Sequence, residues 1–274
     1  MATTDLSRLA VHTITTKPWG LDTAIAKYAA AGVKGITVWR DALEGHDIRA
    51  AGRRMRDAGL AVVSLCRGGF FPSADAAGRR RAIEDNLRAI DEAEALGAPL
   101  IVLVCGADPR QSLEASREQI AAALSEIGPR AREAGVRLGV EPLHPMYADT
   151  RSAINTLASA VDMCERVGDA NVGVAVDVYH LWWDPDLEPQ IARTAAAGRL
   201  FAFHVCDWRS PTVDMLNDRG LMGEGCIPIP RIRGWVEQAG FAGFHEVEVF
   251  STRHWSTNQD RFLEAVVEAY RRHA

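Results

Sequence analysis

A chain of 274 residues, 47% hydrophobic and 24% charged, has the length and balance of a globular protein that buries a sizeable core. Its formal net charge of -5 argues against a nucleic-acid partner, which rewards a concentrated basic surface. No apolar run reaches the length of a membrane helix, and the opening "MATTDLSRLAVHTITTK" lacks the charged start and long apolar stretch of a secretory signal, so neither membrane nor export is expected.

In chain order, short β-rich apolar runs alternate with stretches of helical spacing. "LAVHTIT" (9–15) precedes "LDTAIAKYAAAG", which ends on Gly32, a helix stop. "GITVWR" (35–40) and "LAVVSLC" (60–66) follow. "RRAIEDNLRAIDEAEALG" then leads to "PLIVLVC" (99–105), and "REQIAAALSEIGPRAREAG" to "RLGVEPL" (137–143). A capping signal in "DTRSAINTLASAVDMCERVG" announces the next helix. The last three runs are "VGVAVDVY" (172–179), "LFAFHVC" (200–206) and "FHEVEVF" (244–250). No linker or low-complexity segment interrupts them. Eight such units predict an α/β fold with a single domain over 1–274, a (β/α)8 TIM barrel. An open doubly wound sheet is the alternative, and it would leave the pattern at the strand ends unexplained.

Strand alternation assigns each side chain to the barrel interior or the helical layer. In the fifth run Leu138 and Val140 face out, Gly139 and Glu141 in. In the sixth, Val174, Val176 and Val178 face out, and Gly173, Ala175 and Asp177 in. In the seventh, Phe201, Phe203 and Val205 are expected outward, leaving Ala202 and His204 inside. In the eighth, Val247 and Val249 face out, Glu246 and Glu248 in. Four neighbouring strands thus place Glu141, Asp177, His204 and Glu248 inward at the end where barrel active sites are built. Singly, each has an ordinary reading: a solvated rim Glu, an Asp capping the next helix, a satisfied core His. Together, three carboxylates in one cavity repel unless neutralised, and a divalent cation is the simplest neutraliser. One nitrogen and three oxygens suit Mn²⁺ first, with Mg²⁺, Co²⁺ or Zn²⁺ as alternatives. Glu246 shares a face with Glu248, and the more enclosed position of Glu246 favours Glu248 as the fourth ligand.

Trp39 falls on the inward face of its run, as sugar-stacking wall or as barrel filling. His12 and Arg67 lie near the ends of the first and third runs, and Trp182 and Trp183 form an aromatic pair after the sixth. "GEGCIP" (223–228) lacks a phosphate-loop lysine and reads as a turn, so a phosphorylated substrate is not implied. Asp207 either orients a substrate group or His204, or is a loop carboxylate. The five cysteines, scattered and odd in number, suit reduced thiols and hence a cytoplasmic location. None of the three lysines, Lys17, Lys27 and Lys34, lies at a strand end where a Schiff-base aldolase needs one.

"GVEPLHP", "VDVYHLWWDPD", "FHVCDW", "GEGCIP" and "HEVEVF" resemble the xylose-isomerase-like TIM-barrel superfamily across nearly the whole chain. In its keto-sugar epimerases, strands five to eight supply Glu, Asp, His and Glu to a metal, and the two glutamates act as paired acid and base. The resemblance puts those roles on Glu141, Asp177, His204 and Glu248. It implies His180 as a substrate-oxygen ligand or proton donor. Arg209, or else Arg219, stands for a family arginine whose spacing this chain does not reproduce. "EPLHPMYAD" departs from the simple epimerase pattern and is similar to the large subunits of C-glycoside-cleaving enzymes, in which His144 would stand near substrate. An endonuclease of the related type would need extra His and carboxylate ligands that "LAVVSLC" and "PLIVLVC" do not contain.

The expected activity is metal-assisted proton abstraction next to the carbonyl of a keto-sugar or polyol ketone, giving isomerisation or epimerisation through an enediolate. Glu141, Glu248 and His144 are the expected catalytic groups. His180, Arg209, Arg219, Trp39, His12 and Asp207 are expected at the substrate. The same ligands would equally serve a lyase, such as β-elimination from a 3-oxo-glycoside or inosose dehydration. A non-catalytic sugar-binding or scaffold subunit is the rival of another kind. The expected partner is a small carbohydrate or 3-oxo-glycoside, and both a homo-oligomer and a small second subunit are compatible with the chain.

Overall fold

The computed structural model describes residues 5–274, so the first four residues of the expected 1–274 domain lie outside the described residues. In chain order the main elements are β1 (Leu9–His12), α1 (Leu21–Ala30), β2 (Gly35–Trp39), α2 (Ile48–Asp57), β3 (Ala61–Gly69) and α3 (Ala76–Leu96). There follow β4 (Leu100–Val104), α4 (Leu113–Glu133), β5 (Arg137–Glu141), α5 (Leu157–Val167), β6 (Val172–Asp177), the one-turn α6 (Val178–Leu181) and α7 (Leu187–Ala196). The chain ends with β7 (Leu200–Val205), β8 (Asp207–Trp208), β9 (Arg219–Gly220), α8 (Ile229–Gln238), β10 (His245–Val247), the short α9 (Thr252–Trp255) and α10 (Gln259–His273). Eight of the strands close a parallel barrel in the order β1-β10-β7-β6-β5-β4-β3-β2, the (β/α)8 architecture the sequence predicts. β8 and β9 form a separate antiparallel pair beyond the end of β7.

Local chemistry sets the helix limits. Asp75 caps α3 by accepting from the N–H groups of Ala77 and Gly78, and Gly97 ends it at φ +82, a conformation that favours glycine. The capping signal before α5 resolves to Thr156 and Ser159, which bond reciprocally. The preceding "DTRSAIN" is loop, not helix.

Packing separates into two layers. Outward-facing Val38, Leu65, Leu138, Val140, Val174 and Phe203 join the large core shared with the helices. The barrel interior holds a smaller cluster of Cys66, Leu100, Val102, Ala175 and Ala202, flanked by Trp39 and Phe201. Phe201 departs from the outward placement that alternation predicts. The β6–β7 register shifts between Val174 and Ala175, so Phe201 is the extra residue of its strand. Its ring lies against Gly173, where a Cβ would come within 2.4 Å of it, and the Arg137 guanidinium sits 4.5 Å above its centre. Alternation resumes at Ala202, which keeps His204 inward. Among the described residues no helix is long and apolar enough to cross a membrane.

Candidate metal centre and active site

The barrel register brings the strand-end side chains together. Asp177 pairs with His204 across β6 and β7, and His204 pairs with Glu246 across β7 and β10. Glu248 lies just past β10, where its N–H still bonds Val205 at 3.2 Å. Glu141 ends β5. One ligand atom from each of Glu141, Asp177, His204 and Glu248 lies within 4.8 Å of the others, and all four residues are buried. His204 Nδ1 and Glu141 Oε1 are 3.0 Å apart, yet neither atom has a hydrogen-bond partner. Two buried polar atoms at contact distance without hydrogen-bond geometry are costly unless something else satisfies both. An oxygen-rich set with one imidazole fits a divalent cation, so these residues pass the chemical test for the ion their types imply.

The carboxylates are also met by protein cations. Arg219, on β9, is buried and reaches Glu248 Oε2 at 2.8 Å and Asp177 Oδ2 at 3.2 Å from the same Nη1. Tyr179 and Phe250 cover its guanidinium at 4.3 and 4.9 Å. Asp177 does two things at once: Oδ1 accepts the Tyr179 N–H and caps α6, while Oδ2 faces the site. Burial pushes the Asp177 carboxyl up to about 7 against the pull of Arg219, with Glu141 and Glu248 adding to the rise. Burial acts the same way on Glu248, but His12 and Arg219 overcome it and hold that carboxyl well below the carboxylate range.

Beneath the site lies a second polar layer. His12 Nδ1 stands 3.0 Å from Glu248 Oε1, and its Nε2 stands 3.4 Å from Glu246 Oε2. Glu246 Oε2 also accepts from the hydroxyls of Thr37 at 2.5 Å and Ser64 at 2.9 Å. Glu246 therefore braces the floor, while Glu248 meets the cavity.

The cavity is lined by Trp39, Cys66, Arg67, Glu141, Tyr147, Arg151, His180, Arg219, Glu248 and Phe250, among others. Trp39 packs edge-on against Phe250 at 5.1 Å, forming an apolar wall. His180 Nδ1 accepts the His144 N–H at 3.3 Å, and its Nε2 is 3.3 Å from Arg219 Nη2. Burial, reinforced by Arg219, keeps this imidazole neutral by lowering its pKa well below the ordinary value.

Four residues expected at the substrate or in the chemistry lie elsewhere. His12, expected at the substrate, is fully buried beneath the cavity, with both ring nitrogens turned to Glu246 and Glu248. The His144 ring does not line the cavity: its Nδ1 accepts the Met146 N–H at 3.2 Å, and the ring packs on Trp208 at 5.1 Å and Trp183 at 5.6 Å. What His144 contributes to the site is its backbone N–H, which orients His180. The Arg209 guanidinium pairs with Asp218, away from the cavity. The Asp207 carboxylate accepts from the N–H groups of Trp208, Gly223, Gly225 and Ile227 at 2.8–2.9 Å, which folds "GEGCIP" against β8. Asp207→Ala strands these donors, and a loss of about 3 kcal/mol in unfolding free energy is expected, read as a lower urea midpoint. Asp207→Asn, which keeps one acceptor oxygen, is expected to lose less. An Asp207→Ala midpoint equal to wild type would contradict the bracing role.

Arg151, Tyr147 and Phe250 are cavity residues that sequence reasoning did not single out. Tyr147 and Arg151 sit in the loop after β5, where only a strand-end signal followed by an arginine in a βα loop would have pointed to them.

The chain belongs to the xylose isomerase-like TIM barrel family, whose model matches residues 25–271. A crystal structure of a protein from Sinorhizobium meliloti 1021 is 45% identical, with a TM-score of 0.94 over 97% of this chain and 98% of that one. An inosose isomerase from Halalkalibacterium halodurans is 23% identical over 71% of this chain and 68% of its own length. The crystal structure of the IolI protein with a bound zinc atom is 18% identical, with a TM-score of 0.84 over 96% of each chain, a likeness of fold.

Proposed function

We propose that this chain is a divalent-metal-dependent isomerase or epimerase that removes a proton from the carbon next to the carbonyl of a keto-sugar or related polyol ketone. The observation that carries this reading is the buried convergence of Glu141, Asp177, His204 and Glu248 beside a cavity, with donor atoms of Glu141 and His204 left unpartnered. These four residues would hold the ion, Mn²⁺ first among Mg²⁺, Co²⁺ and Zn²⁺. A bound divalent ion supplies Lewis acidity to a ketone oxygen.

The chain's own groups divide the remaining work. Glu141 is the freer base, because its one ion-pair neighbour is His204 while His12 and Arg219 engage both oxygens of Glu248. Glu248, tethered by Arg219 and His12, is the second carboxylate and faces the substrate from its own side. Neutral His180 is placed to hold or donate a proton to a substrate hydroxyl. Trp39 and Phe250 offer an apolar face to a sugar ring. The lyase alternative asked for an imidazole at the leaving group, and the packing of the His144 ring against Trp208 gives it less support than the isomerase or epimerase reading.

The test is incubation of the metal-loaded enzyme with keto-sugars, inososes and 3-oxo-glycosides in D₂O, followed by NMR. The expected result is deuterium at the carbon next to the carbonyl of the true substrate, in a rearranged sugar. Turnover of the true substrate with no exchange and no isotope effect would overturn the reading and leave the family likeness as one of fold.

A further inference from the structure

Among the described residues, two arginines in the cavity wall have no carboxylate within ion-pair distance. Half-buried Arg40 pairs with Asp85 and Glu92, Arg8 with Glu237, and buried Arg219 with Asp177 and Glu248. Arg67 and Arg151 line the cavity, and among the described residues neither makes an ion pair. Both guanidinium groups instead face one aromatic ring: the Arg67 Cζ is 4.2 Å and the Arg151 Cζ 6.0 Å from the centre of Phe70. Arg151 also stands 5.6 Å from the Tyr147 ring, and its Nε is buried without a hydrogen-bond partner. Stacking on aromatic faces offsets only part of the cost of removing a guanidinium from water. Two like charges sharing a ring repel each other. Burial, and after it the charge of Arg151, lowers the Arg67 pKa, and the more distant Asp41 carboxylate offsets this only in part.

The backbone holds this pair in place. The β3–β4 register shifts between Cys66 and Gly68, so Arg67 is an extra residue whose side chain is turned toward the cavity. Phe70 has φ +54, a left-handed conformation strained for an aromatic residue. Its N–H bonds Val104 at 2.8 Å, and Gly106 packs so closely that a Cβ there would meet the Phe70 backbone at 2.7 Å. Arg151 is fixed from both sides, its N–H on Tyr147 at 3.0 Å and its carbonyl on the Gly106 N–H at 2.8 Å. Such fixed, unpaired donors beside a reactive cavity match an oxyanion on the ligand.

We propose that the substrate carries a carboxylate or phosphate group, and that Arg67 and Arg151 receive it while its ketone end lies at Glu141 and Glu248. This inference deepens the proton-abstraction reading and rests on it for the position of the ketone. It also runs against the expectation drawn from "GEGCIP", since an anion site made of arginines needs no phosphate loop.

The test compares the neutral ketose D-fructose, its 6-phosphate and the carboxylate 5-keto-D-gluconate. Each is titrated calorimetrically into the metal-loaded wild type and into Arg67→Gln and Arg151→Gln, with thermal unfolding as the check on folding. At least one anionic ketose is expected to bind roughly 10- to 100-fold tighter than D-fructose, with that ratio falling at least about tenfold in either variant. Whichever anion shows the preference identifies the group as phosphate or carboxylate. Equal binding of all three, no binding of either anion at millimolar concentration, or an unchanged ratio in folded variants would each overturn the proposal. Proton exchange in D₂O is read separately. Preferential anion binding sustains the arginine site whatever the exchange shows, whereas the proton-abstraction reading falls if a ketone that is turned over shows no exchange.

Discussion

Asp177→Ala and His204→Ala are each expected to strip the protein of its divalent ion and to lower exchange at the carbon next to the carbonyl by about a thousandfold or more. The wild type, purified and incubated with Mn²⁺, is expected to carry about one ion per chain by elemental analysis. The two substitutions remove different donors and leave different neighbours. Without Asp177, the Tyr179 N–H loses its cap at a cost of about 1 kcal/mol, but Arg219 keeps Glu248 at 2.8 Å, so its charge stays paired and the barrel is expected to fold. His204→Ala removes an imidazole with no hydrogen bond at either nitrogen; Glu141 and Glu246 lose a neighbour at 3.0 and 3.8 Å, while Glu246 keeps the Thr37 and Ser64 hydroxyls. Loss of metal in both variants, with near-wild-type circular dichroism and thermal unfolding, separates a ligand role from a structural one. Retention of a full complement of metal by both would sink the assignment of the quartet.

The quartet was legible because strand alternation is a strict period of two. Once the branched residues of β5, β6 and β7 are assigned to the helical layer, Glu141, Asp177 and His204 have nowhere to point but inward. Alternation puts Glu246 and Glu248 on one face, and only depth favours Glu248; the structure places Glu246 on the Thr37 and Ser64 hydroxyls below the cavity. Alternation failed at Phe201 because one extra residue in β7 resets the face, and no residue type in "LFAFHVC" announces such a shift.

The parts of the site built by loops were not legible in this way. Arg219 was one of two candidates because its position depends on a two-residue antiparallel pair, β8 with β9, too short for a periodic signal. His144 looked like an acid because it lies three residues from Glu141. Its ring direction is set by a helical turn over Pro145–Tyr147 and by Trp183 and Trp208, which come from distant parts of the chain. Arg67 was placed near a strand end, but its lack of a counter-ion can be seen only where the neighbours are known. Arg151 reaches the cavity because its loop is pinned to Gly106.

Glu141→Gln is expected to lower proton exchange by about 10³-fold at saturating metal, within the range that a positioned general base supplies. The amide is nearly isosteric and keeps one carbonyl oxygen able to ligate, so a weakened but measurable ion complement is expected to remain. Its proton affinity is too low to accept a proton from carbon. Glu248→Gln provides the contrast. Both oxygens of Glu248 are engaged, one 3.0 Å from His12 Nδ1 and one by Arg219 at 2.8 Å, and neutralising that carboxylate leaves buried cations short of a partner. It is therefore expected to lose about 3 kcal/mol of stability as well as activity. Glu141 makes no comparable ion pair with an arginine, so Glu141→Gln is expected to unfold close to wild type. Activity lost without stability at Glu141, and both lost together at Glu248, would identify Glu141 as the proton acceptor and Glu248 as the tethered second carboxylate. Exchange by Glu141→Gln within about tenfold of wild type at saturating metal would rule it out as the base.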